Sequence, residues 1–279
     1  IQSIVGIEYF TNLTSLVCSY NGIASIDVSM LTGLKILKCE NQALTSLNVN
    51  GLTQLEELNV GNCNLTSLNL TSLSSLKKLF CYSNDLTTLD LSGLSFLEEV
   101  NCSSNLLATI ITNGLTNLKI LDCGINQLAS FDATNLLVLE SLTVFHNPNL
   151  TSLTIAGMQT LKFLDCDSCN LSALALNDLP SLINLRCGSN SLVSIDFSEL
   201  NSILGIDCTF NQLTSLDFGD ITTLKHLDCS ANQLSSLNIQ NLVNLEVLRC
   251  NSNILQQLDV TPFQQITSLD CSSNQLQYL

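Results

Sequence analysis

The chain has 279 residues, with 24 Asp and Glu against 9 Lys and Arg, a formal charge of −15 and no tryptophan. So acidic a body repels nucleic-acid phosphates and anionic lipid, which argues against both as partners. No apolar run approaches the roughly 18 residues of a membrane-spanning helix, and with so few aromatic residues the core must be aliphatic, chiefly Leu and Ile.

Residues 1–12, IQSIVGIEYFTN, place Val5, Ile7 and Phe10 twenty-one positions ahead of Ile26, Val28 and Leu31. They read as the back half of a repeat or the remnant of a cap. From residue 13 to residue 279 the chain is one 21-residue unit repeated thirteen times, with aliphatic residues at positions 1, 4, 11, 14, 16 and 19. LKHLDCSANQLSSLNIQNLVN, from Leu224 to Asn244, follows the spacing L-x-x-L-x-L-x-x-N-x-L that marks a leucine-rich repeat, with Cys229 in place of the third leucine. Within each unit, positions 3 to 7 alternate outward and inward, as in Ile36-Leu37-Lys38-Cys39-Glu40, so each unit is expected to give one strand with one buried face. Strands recurring at a fixed period with the same hand are parallel and line the concave face of a solenoid. The return segments, such as TSLNVNGLTQ at 45–54, are too short for a long helix and are expected to be extended, with tight turns and single 3-10 turns on the convex face.

One register break occurs. Val144 to Cys166 spans 22 residues because Asn147-Pro148-Asn149 holds one residue too many, a local bulge in the loop after the strand. Pro180 and Pro262 fall in return segments, where no ladder donor is lost. The last unit stops at Leu279, its position 14. Because solenoid ends need polar caps, the array is expected to continue in a longer protein, or to associate end to end as an alternative to a monomer.

Three ladders follow from the frame. Cysteine fills position 6 in eleven repeats, and Val60 and Val144 fill it in the other two. That interchange makes the cysteines free, buried, small hydrophobes rather than disulfides or metal ligands, because neighbouring Cβ vectors run parallel. Position 9 carries ten asparagines, with Gln42, Cys63 and Cys169 in the remaining places, and a buried amide there can bond the backbone of its own and adjacent units. Position 15 is Asp or Asn in nine repeats, from Asp27 to Asp259, a turn residue that supplies much of the negative charge.

Units such as LKILDCGINQLASFDATN and LKHLDCSANQLSSLNIQN resemble the cysteine-ladder members of the Listeria internalins, and also secreted and surface leucine-rich repeat proteins of the Bacteroidetes. The resemblance covers residues 13–279. It implies a secreted or cell-surface bacterial binding module whose concave face holds a protein or glycan partner. It departs from the internalin pattern in having neither a helical cap nor an immunoglobulin-like domain within the sequence.

No arrangement of catalytic residues is evident. His146 and His226 fall in repeats roughly 19 Å apart by strand spacing, with no activated nucleophile beside either. No cofactor or metal is implied, and an enzyme is not expected. Binding residues are instead sought where exposed positions depart from the repeat's own average. Phe80 and Tyr82 lie on one strand. Ile120, Ile125, Phe145, His146 and Phe163 fall in repeats six to eight, beside Pro148, with Asp165, Asp167 and Arg186 expected at the rim and Phe210 further on. Exposed aromatics in a cluster point to a contact surface, and the acidic rim favours a basic partner. The alternative is a structural spacer, or the repeat region of a larger protein whose activity lies in another domain.

Overall fold

A computed structural model describes residues 4–261 and 263–277. Pro262 and Leu279, both placed by the repeat frame, lie outside the described residues. The chain forms two compact units that divide between Ala129 and Ser130.

The N-terminal unit contains β1 (Ser15–Val17), β2 (Ile36–Lys38), β3 (Glu57–Asn59), β4 (Lys78–Phe80), β5 (Thr88–Asp90), β6 (Glu99–Asn101), β7 (Thr109–Ile111) and β8 (Ile120–Asp122). The C-terminal unit contains β9 (Ser130–Asp132), β10 (Ser141–Thr143), β11 (Ser152–Thr154), β12 (Phe163–Asp165), β13 (Asn184–Arg186), β14 (Gly205–Asp207), β15 (His226–Asp228), β16 (Val247–Arg249) and β17 (Ser268–Asp270). In the first unit β1, β2, β3, β4, β6 and β8 form a parallel ladder with position 4 stacked on position 4, as in Leu16↔Leu37 and Leu58↔Leu79. In the second, β10 and β12 to β17 do the same. Ser141 faces Phe163, 22 residues on, so the extra residue is absorbed where expected, in the 147–149 loop.

Each main strand covers only positions 3 to 5, two residues short of the sequence alternation. Two local features end it. In seven repeats an Asp or Asn at position 5 accepts the backbone N–H of position 7, as in Asp207 to Thr209 and Asp228 to Ser230. Position 8 then takes a left-handed conformation in all thirteen repeats, from Tyr20 at φ 59° to Ser273 at φ 53°.

Return segments are extended, with β5 pairing with β7 and β9 with β11 in parallel. The one 3-10 turn among the described residues, Ile7–Tyr9, lies ahead of β1. There Val5 and Phe10 are exposed, whereas in the equivalent places Ile26 is half-buried and Leu31 is buried. All nine position-15 residues accept the N–H two residues on, the role expected for them; Asp27 does so for Ser29 and Asp196 for Ser198. With the Ser29 hydroxyl added, the Asp27 carboxyl is held below its ordinary range.

The core of each unit is built from the repeating leucines, with Leu37, Leu58 and Leu79 fully buried in the first and Leu164, Leu192 and Leu224 in the second. In the second unit Phe197 and Phe218, on successive return segments, stack at 5.6 Å between ring centroids. Every Lys and Arg of the chain is ion-paired with a carboxylate of an adjacent repeat, and Lys77–Glu56 at 2.6 Å and Lys225–Glu246 at 2.7 Å are among the shortest pairs. Several of these pairs join position 2 of neighbouring repeats, where Lys and Glu alternate from Lys35 to Lys162. Exposed pairs add about 0–1 kcal/mol each, so these fix register more than they stabilise.

Candidate interaction face

The ladders hold the face in place. In the asparagine ladder, Nδ2 of Asn211 donates to the carbonyls of Cys208, Thr209 and Cys187, the last in the repeat before, while its Oδ1 accepts the Leu192 N–H at 3.0 Å. Asn84, Asn105, Asn232 and Asn253 repeat the pattern. Where cysteine stands in, the thiol reaches the same carbonyls; Cys63 bonds Cys39 O and Gly61 O, and Cys169 bonds Val144 O and Asp167 O.

All thirteen cysteines are free thiols. At position 6, Cys102, Cys166, Cys187, Cys208 and Cys229 point inward and donate to the next strand's carbonyl, as Cys166 does to Arg186 O at 3.3 Å. Burial pushes the Cys81 and Cys250 thiols up to about 12 and those of Cys187 and Cys208 well above the ordinary range. Such thiols are unionised and inert as nucleophiles at neutral pH. Among the described residues no group of three or more His, Cys, Asp or Glu is placed to hold a metal ion, and no helix is long and apolar enough to cross a membrane.

Of the residues singled out in the sequence, Phe80, Ile120, Phe163, Asp165 and Arg186 stand on strands, and Tyr82, Ile125, Phe145, His146, Asp167 and Phe210 in the segments that follow them. In the N-terminal unit Phe80 and Tyr82 are half-buried. The Tyr82 ring lies over the Gly61 backbone so closely that a Cβ there would sit 2.4 Å from the ring, so Tyr82 is packed against its own scaffold. Ile120 and Ile125 are exposed in the same unit.

In the C-terminal unit the expected patch does not form as one cluster. Phe163 pairs in register with Ser141, whereas Phe145 lies beyond the end of β10, beside the His146 N–H to Asp167 O bond. Four residues, about 13 Å of extended chain, separate the two ring positions along the strand direction. Both rings are half-buried rather than fully solvent-facing. Asp165, expected at the rim, is buried and ion-paired with Arg186 at 3.8 Å. Asp167 accepts the Gly188 N–H, and its burial, with Asp165 beside it, pushes its carboxyl up to about 6. His146 and Phe210 are exposed.

Two features of this face escaped the sequence reading. Position 8 is left-handed everywhere, yet Tyr20, Ile125, His146 and Phe210 occupy it with bulky side chains where most repeats use Ser, Asn or Ala. A β-branched or bulky residue at positive φ is a strained choice. The recurrence of small or turn-forming residues at position 8, Ser in six repeats and Asn in two, was the available signal. A hollow of about 530 Å³ also opens over β12 to β16, between Phe163 and Val247, where Gly205 has no side chain. The glycine at an outward strand position was its signal.

The parallel-sheet, cysteine-laddered architecture is that of a leucine-rich repeat solenoid. The chain is similar to the functional domain of InlJ from Listeria monocytogenes, described as including a cysteine ladder, at 29% identity and a TM-score of 0.89, covering 100% of this chain and 62% of that one. The chain thus spans less than two thirds of that domain. It shares its fold with a leucine-rich repeat protein of Leptospira interrogans (24% identity, TM-score 0.79, 88% of this chain and 68% of that one). It also shares it with the internalin InlF of Listeria monocytogenes (22%, 0.82, 95% and 82%). No protein-family model matches the sequence, and no curated protein matches it.

Proposed function

We propose that this chain is a non-enzymatic binding module of a secreted or cell-surface bacterial protein, holding a protein partner against the concave, strand-lined face. The observation that carries the reading is the bulky position-8 residues, Tyr20 and Ile125 in the N-terminal unit and Phe210 in the C-terminal unit. Tyr20 and Phe210 are 76% and 66% exposed while held at positive φ, and Ile125 is exposed at φ 52°. These side chains gain little from burial and cost strain of order 1 kcal/mol each, so the scaffold has no use for them and an interface does. The likeness to InlJ supports the module reading, and the resemblance to internalins supports the compartment.

The experiment is a paired array of immobilised extracellular proteins and of glycans, probed with the labelled chain, with an Ile125→Ser/Phe210→Ser double variant, and with Leu137→Ser as an exposed control on the return side. Protein signals that the double variant loses and the control keeps are expected. Signals shared equally by all three chains, or confined to glycans, would overturn the reading.

A further inference from the structure

The hollow over Gly205 is laid out in two rows by the strand register. Position 3 runs Phe163, Asn184, Gly205, His226, Val247, and position 5 runs Asp165, Arg186, Asp207, Asp228, Arg249. The chain has seven lysines and two arginines, and both arginines stand in this second row, roughly 14 Å apart by strand spacing. Each occupies the position where other repeats place an Asp or Asn that accepts the position-7 N–H, a bond that a guanidinium cannot accept.

The arginines do not make the hollow a site for anions, because each is already committed. Arg186 pairs with Asp165 at 3.8 Å and Arg249 with Asp228 at 3.9 Å. Asp207 lies between the two pairs. One of its oxygens accepts from the Thr209 N–H and hydroxyl, and Asp207 is in no ion pair among the described residues. With Asp167 at the edge, carboxylates outnumber guanidiniums around the hollow. Everywhere else the chain pairs its cations across neighbouring repeats; here the row is one cation short, and the side chain that would fill the space above it is missing at Gly205.

We propose that this hollow seats one basic side chain, Lys or Arg, of a protein partner, held by Asp207 between the two arginine–aspartate pairs and walled by Phe163 and Val247. The floor is set for it in advance. Asp207 is fixed by Thr209, and the arginines brace the flanking carboxylates, so little ordering is required on binding. The acidic surroundings steer a cation in and turn an anion away. The proposal deepens the reading of this face as a partner-holding surface and rests on it.

The test uses the full chain, ¹⁵N-labelled, and three probes: the peptide acetyl-Gly-Arg-Gly-amide, its citrulline counterpart, which keeps the shape and loses the charge, and maltotriose. The arginine peptide is expected to shift the amides of residues 205–207 and 226–228 saturably, in the millimolar range. Binding is expected to weaken at least fivefold with citrulline and in Asp207→Asn, and to vanish in Gly205→Leu. That last variant is expected to fold, because a Cβ at Gly205 meets only the end of the Asn184 side chain, at 2.8 Å, and no positive φ is involved. Equal binding by Asp207→Asn, equal binding of citrulline, or shifts spread over every exposed carboxylate would overturn the proposal. Saturation of the same amides by maltotriose alone would assign the hollow to a saccharide instead. The two readings fail separately. Array signals kept by Ile125→Ser/Phe210→Ser would overturn the reading of the face and say nothing about arginine binding at Gly205, and a failed peptide titration leaves the array result standing.

Discussion

Oδ1 of Asn211 accepts the backbone N–H of Leu192 at 3.0 Å, nineteen residues back and one repeat away. The same amide closes its own loop through Cys208 O and Thr209 O. One side chain thus satisfies backbone that would otherwise be buried without partners, which explains why the position tolerates only groups that donate in the same direction.

Asn211→Ala removes these bonds and leaves the Leu192 N–H buried. The expected cost is about 1–3 kcal/mol, read as a fall in the denaturant midpoint with the slope unchanged. Gln212 is exposed, and its side chain makes none of the ladder bonds, so Gln212→Ala is expected to change stability by less than about 0.5 kcal/mol. Equal effects would contradict the assignment of inside and outside.

Thiol chemistry gives a second reading of the interior. Ten cysteines are buried, and Cys18, Cys169 and Cys271 are half-buried. An aromatic disulfide reagent is expected to label no more than these three in the native protein, slowly, and all thirteen after unfolding. Cys208→Val is expected to be nearly neutral, since Val60 and Val144 already occupy the same ladder position. Disulfides found by mass spectrometry after thiol blocking would contradict the ladder as described.

Asp167 gives a pH dependence of known sign. Burial, with Asp165 beside it, raises its carboxyl from 3.8 to about 6 in the folded chain. Ionisation at neutral pH therefore opposes folding, and the penalty fades as pH falls through 6 and is absent below about 4, where both states are protonated. Asp167→Asn retains an acceptor for the Gly188 N–H. The variant is expected to be more stable than the parent at pH 7.5, by about 1 kcal/mol after allowing for partial exposure, and level with it at pH 4. A constant difference at both values would mean the charge is not the cause. The lowered carboxyls at position 15, such as Asp27 and Asp196, act in the opposite sense; they stabilise above about pH 4 and lose that contribution as pH drops further.

The solenoid, its register and all three ladders were legible because each repeat solves the same packing problem, so a residue type recurring every 21 positions reports one environment thirteen times. Cys63 and Cys169 could even be placed, since a thiol donates where an amide does. The outer face was harder to read. Phe145 and Phe163 share a neighbourhood in sequence, but the strand ends at Thr143, and the register sets Phe163 against Ser141. Asp165 reads as a rim residue, yet Arg186 on the next strand covers it. The strand length depended on the Asx turn from position 5 and the left-handed residue at position 8, local backbone choices that hydrophobic periodicity does not encode. The hollow at Gly205 depended on a side chain being absent, which composition hides.

On the proposed function, the ladder residues hold the scaffold, while the bulky residues at position 8 serve a partner outside it. Phe210 and Asn211 are adjacent and have opposite roles on that reading. Phe210 is 66% exposed at φ 51°, and asparagine tolerates that backbone better than phenylalanine does. The most direct measurement is the thermal unfolding midpoint of Phe210→Asn. The expected result is a midpoint equal to the parent's or a few degrees higher, as relief of about 1 kcal/mol of strain would give. A fall of several degrees would show that Phe210 belongs to the scaffold and would contradict the account.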